Sequence, residues 1–137
     1  NRAADRMDRS TTGDGMKRAL KRWWVYLAAV PLADGRSAFR LGRSVDLAAT
    51  LKQVQDASPV RIAKVWTMPT CSERAACAAV AGMASDLGKY WQHGPWLHMH
   101  TDQQVDKAAM KQAMDAAGVH ADWPDGASGK AWREAPM

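Results

Sequence analysis

Two groups of side chains in this chain are equipped for chemistry. The first is basic: Arg40, Arg43, Lys52, Arg61 and Lys64 all fall between positions 40 and 64, and clustered guanidinium and ammonium groups are what a phosphate backbone recruits. The competing reading of the same residues is a solvated sheet edge, where Lys and Arg discourage pairing with another strand. The second group is His98-Met99-His100, with His93 just before it. Two imidazoles two positions apart on extended chain share a face and can begin a metal site. No third ligand joins them at a telling spacing, so packing or surface histidines are expected and no metal is assigned. Cys71 and Cys77 lie at the entrance to an expected helix, where six positions place them about 9 Å apart along the axis, too far for a relaxed disulfide. Reduced thiols agree with an intracellular, cytoplasmic setting.

The elements that must position these groups can be read from periodicity. Trp23 to Val30 is apolar throughout, as in a strand covered on both faces. Ala33-Asp34-Gly35 supplies the hairpin turn. Ser37 to Arg43 returns with Phe39 and Leu41 on one face and Arg40 on the other. Ser44 and Asp46 are both suited to cap a helix ending near Ala57, with Leu47, Leu51 and Val54 as its buried stripe. Val60 to Met68 reads as a third strand. Thr70-Cys-Ser-Glu73 has capping-box spacing and opens a helix from Ser72 to Leu87. His93-Gly-Pro-Trp96 is a turn, Trp96 to His100 is extended, and a last helix from Asp102 to Ala117 is stopped by Gly118. Residues 1–15 read as a disordered leader, 16–118 as one domain and 119–137 as a tail with little structure of its own. The fold class is therefore α/β in the α+β sense: a small antiparallel three-stranded sheet flanked by helices.

The totals fit this. A chain of 137 residues is long enough for one core and too short for two. Its longest apolar run, Trp23 to Val30, is far short of the roughly 20 residues needed to cross a bilayer, so no membrane partner is expected. Nineteen Lys and Arg against fourteen Asp and Glu give +5, a balance that suits a nucleic-acid surface without requiring one. Seven tryptophans are many for this length. Trp24 and Trp66, in strands, are expected in the core. Trp91, Trp96, Trp123 and Trp132 either present an aromatic surface to a protein partner or clamp the C-terminal segment onto the domain.

The order strand, strand, Leu-Gly-Arg-Ser, helix, strand, helix, then Gly94-Pro95-Trp96-Leu97 resembles the GIY-YIG nuclease superfamily, in its phage and meiotic branch. Val25-Tyr26 stands for the first motif and Arg40-Leu41-Gly42-Arg43-Ser44 for the second. Asp46-Leu47 and Leu51-Lys52-Gln53-Val54-Gln55 resemble the helix that follows, and Ala57-Ser58-Pro59-Val60 its exit. The resemblance covers roughly residues 24–100 and rests on order and spacing. It implies phosphodiester hydrolysis assisted by Mg²⁺ or Mn²⁺, which needs a base, a carboxylate for the metal and a cation for the developing charge. It places the base at Tyr26, a second tyrosine at Arg40, the cation at Thr50, and the carboxylate at Ala76 or, in another register, Glu73. Arg40, Thr50 and Ala76 depart from the family, and one lost transition-state contact commonly costs about 10²–10³ in rate.

The expectation is thus a catalytically degenerate accessory protein, of phage or mobile-element type, that binds nucleic acid or a nucleic-acid-processing partner. Arg40 and Arg43 would lie near the backbone groove, and no cofactor is needed. Two alternatives stand beside it. One is an active metal-dependent endonuclease with a site rearranged around Tyr26, Arg40, Arg43 and Glu73. The other is a protein-interaction module using the tryptophan-rich C-terminal half.

Overall fold

The computed structural model describes residues 22–119 and 132–135. The expected leader, residues 16–21 of the expected domain and Trp123 lie outside the described residues. The elements run β1 (Trp23–Pro31), β2 (Arg36–Ser44), α1 (Leu47–Asp56), β3 (Lys64–Thr70), α2 (Glu73–Asp86), a 3₁₀ turn at Gly88–Tyr90, β4 (Trp91–His93), β5 (Trp96–His100), α3 (Gln104–Val119) and β6 (Arg133–Ala135). The strands form one antiparallel sheet in the order β4-β5-β2-β1-β3-β6.

β1 holds the centre because both of its faces are apolar: Val25 through Val30 are all buried. Its alternation feeds two cores. On one face, Val25, Leu27 and Ala29 join Phe39, Met68, Leu97 and Met99 beneath α2 and α3. Ala75, Ala76 and Ala79 let α2 approach closely, and Met83 fills what remains. On the other face, Tyr26, Ala28 and Val30 meet Ala38, Val65, Ile62 and the α1 stripe of Leu47, Leu51 and Val54. Burying Leu27 completely contributes roughly 1.5–3 kcal/mol relative to leaving it exposed.

The sheet is larger than the three strands that alternation suggests. β5 pairs with β2 over Trp96–His100, and β4 and β6 are three residues each, too short for a period to register. In the described part of the C-terminal segment, Arg133–Ala135 pairs with Val65–Thr67 as β6, and the Trp132 indole N–H donates to the Met114 carbonyl at 2.9 Å. Trp132 is therefore a clamp of the kind the sequence allowed.

Three further boundaries are corrected. β3 begins at Lys64, after a non-ladder approach through Val60–Ala63, and continues through Pro69 to Thr70. Pro69 is tolerated because β6 covers only Val65–Thr67 on that edge. The capping box does not form. Ser72 is the N-cap of α2 and accepts from the Ala75 N–H, while the buried Thr70 hydroxyl donates toward the carbonyls of Trp23 and Ser72 at 2.7 and 3.0 Å. Finally, α3 starts at Gln104 and runs through Gly118, which is buried in its last turn. Asp106 anchors its first turn, accepting from the His100 N–H at 2.6 Å and the Tyr90 hydroxyl at 3.1 Å.

Candidate nucleic-acid interface

The sheet separates the residues that the nuclease resemblance would unite. Tyr26 points to the α1 face, where it is 5% exposed. Its ring lies over Gly42, its direct partner across the β1/β2 ladder: a Cβ at Gly42 would meet the Tyr26 hydroxyl and come within 2.6 Å of its ring carbon Cζ. Arg43 lies one position along, on the opposite face, with its guanidinium over the Trp23 ring at 5.9 Å. There it pairs with Glu73, at the start of α2, at 3.7 Å. Both partners are exposed, so the pair contributes at most about 1 kcal/mol. Thus Arg43 and Glu73 come together, and Tyr26 and Arg40 do not join them.

The remaining positions of that constellation are occupied structurally. Ala76 is fully buried among the α2 core residues. The Thr50 hydroxyl lies 2.6 Å from that of Ser44, which also accepts from the Asp46 N–H. Together with Asp46, the α1 N-cap that accepts from the Ala49 N–H, this fixes the entry of α1. No group of three or more His, Cys, Asp or Glu capable of holding a metal occurs among the described residues. Cys71 and Cys77 are free thiols.

A different grouping emerges from the β2/β5 register. The ladder pairs Arg36 with His100, Ala38 with His98 and Arg40 with Trp96. These are alternate rungs, so all six side chains belong to one sheet face, the α1 face. Only Ala38 is buried; the other five are half-buried. The Arg40 guanidinium sits over the Trp96 ring at 5.9 Å, a cation–π contact that holds both groups in place. His98 contributes a buried Nδ1 with no hydrogen-bond partner. His100, at the strand end, also borders a cavity behind the sheet. No acidic side chain stands on these rungs.

Arg36 is oriented from the turn. Its guanidinium Nε donates to Asp34 at 2.7 Å, and its backbone N–H donates to the same carboxylate at 3.2 Å. The backbone bond chiefly, with the guanidinium adding to it, holds the Asp34 carboxyl below its ordinary 3.8. Gly35, at φ +83°, completes the turn.

The basic residues expected to act together are divided. Lys52 lies on α1, paired to Asp56 at 3.1 Å, and Arg61 is exposed in the segment before β3. Arg43 and Lys64 fall on the face opposite Arg40 by register. Arg40 and the same-face histidines can be named from the sequence, but the alignment of Arg36, Trp96, His98 and His100 with Arg40 cannot. Cross-strand register is the missing signal, since β2 and β5 are separated by more than fifty residues of chain.

In comparisons with known proteins, no family model, no curated protein and no solved structure matches the chain. Among the described residues, no helix is long and apolar enough to cross a membrane.

Proposed function

We propose that the chain is a non-catalytic, GIY-YIG-like accessory protein that binds single-stranded nucleic acid across the β2/β5 face. One observation carries this reading: three alternate rungs gather two arginines, two histidines and a tryptophan, half-buried on one face, with no acidic side chain on those rungs. Single strands are held by cationic groups tracking the backbone and by planar side chains on which bases stack. A sheet face carrying an aromatic ring and guanidinium planes supplies both.

The element order of β1, β2, α1, β3 and α2 supports the family resemblance. The loss of cutting is supported by the burial of Tyr26 and Ala76 and by the separation of Tyr26 from Glu73. A tryptophan-based protein interface draws less support, because Trp91 and Trp132 pack against the core.

Fluorescence anisotropy with a labelled single strand of about a dozen nucleotides tests the binding. Saturable binding that weakens in Arg40→Glu and in Trp96→Leu, and exceeds binding to the matching duplex, is the expected result. Plasmid incubated with Mg²⁺ or Mn²⁺ should stay intact; cleavage that disappears in Tyr26→Phe would replace this reading with the endonuclease.

A further inference from the structure

Behind the sheet, on the face opposite the Arg–Trp–His ladder, lies a cavity of about 420 Å³. Leu27, Phe39, Trp66 and Met99 form its sheet wall, Met110 and Met114 its α3 wall, and Trp132 closes one side. Its size falls within the range of small-molecule sites, and its lining has their character: apolar surface with a few polar groups at one margin. The two flexible thioethers on α3 can adjust to the shape of an occupant.

The margin carries two carboxylates and two ammonium groups. Asp106 is committed on both oxygens, to Tyr90 and to the His100 N–H. Asp115 is engaged by Lys111 at 3.2 Å. Lys107 also borders the cavity, and its ammonium has no acceptor among the described residues. An apolar body with one anionic end would satisfy the cavity and this cation together.

We propose that the cavity between the sheet and α3 is a binding site for a small monoanionic amphiphile, with its apolar chain against Phe39, Met110 and Met114 and its carboxylate at Lys107. This site lies on the opposite sheet face from the nucleic-acid ladder, with His100 at the strand end bordering both. The exposed position of Lys107 limits the charge contribution, so a change of about fivefold in affinity is the scale expected from removing it.

The test titrates the full chain, ¹³C-labelled at the methionine methyls, with decanoate and separately with decanol. Decanoate should give saturable shifts at Met99, Met110 and Met114 and bind more tightly than decanol. Lys107→Glu should weaken decanoate about fivefold and leave decanol unchanged. Met110→Trp, which fills the cavity, should abolish binding of both; if that variant does not fold, the surface substitution Lys107→Glu still decides. Absence of saturable shifts at these three methyls would overturn the proposal, as would equal affinity for decanoate and decanol that Lys107→Glu leaves untouched.

Discussion

Tyr26 and Gly42 face each other across the β1/β2 ladder, the tyrosine ring occupying the space that a side chain at Gly42 would need. Their placement has a packing explanation. Gly42→Ala should force the buried ring aside and destabilise the fold by about 1–3 kcal/mol. Tyr26→Phe removes a hydroxyl that makes no hydrogen bond among the described residues, and should cost less than about 1 kcal/mol. Chemical denaturation of the two variants separates the effects; a severe loss in Tyr26→Phe with a silent Gly42→Ala would contradict this account. Asp34 adds a pH-dependent term. Its carboxyl is held below 3.8 in the fold, so its contribution is fully present above the unfolded value and disappears as pH falls through the lowered folded one. Asp34→Asn should therefore flatten the acid limb of the stability profile below about pH 4 and change its shape little above pH 5.

At the scale of elements, the junction between β3 and α2 shows how far local signals reach. Thr70-Cys-Ser-Glu73 matches a capping box, yet the strand continues through Pro69 to Thr70 because Thr70 pairs with Trp23. The cap then falls to Ser72, and Glu73 becomes the first helical residue, facing Arg43. Ser72→Ala should cost about 1 kcal/mol, the usual worth of an N-cap. Thr70→Val should cost about 1 kcal/mol by removing the donor to the part-buried Trp23 carbonyl. A silent Ser72→Ala in urea unfolding would restore the capping-box assignment. The hairpin β1/β2 and helices α1 and α2 were legible because their periods are long and their turns carry Asp-Gly or small polar residues. The edges were not. Three-residue strands have no period, Gly118 ends no helix where burial holds it in place, and the pairing of β5 with β2 depends on register that no local window contains.

For the whole molecule, the sheet acts as a partition. One face carries the cationic and aromatic ladder beside α1; the other carries the apolar cavity and the core under α2 and α3. Among the described residues the ladder face carries Arg36, held by Asp34, and Arg40, stacked on Trp96. The candidate site was half legible: the basic residues and the paired histidines could be named from sequence, while their division between faces required the fold. The most direct test of the proposed function is a salt series of single-strand affinity for the parent chain and Arg40→Glu. Binding should weaken linearly in log–log form as salt rises, and Arg40→Glu should reduce the slope by about 0.7, the share of one phosphate contact on a single strand. Undetectable binding at low salt, or an unchanged affinity and slope in Arg40→Glu, would contradict the proposal.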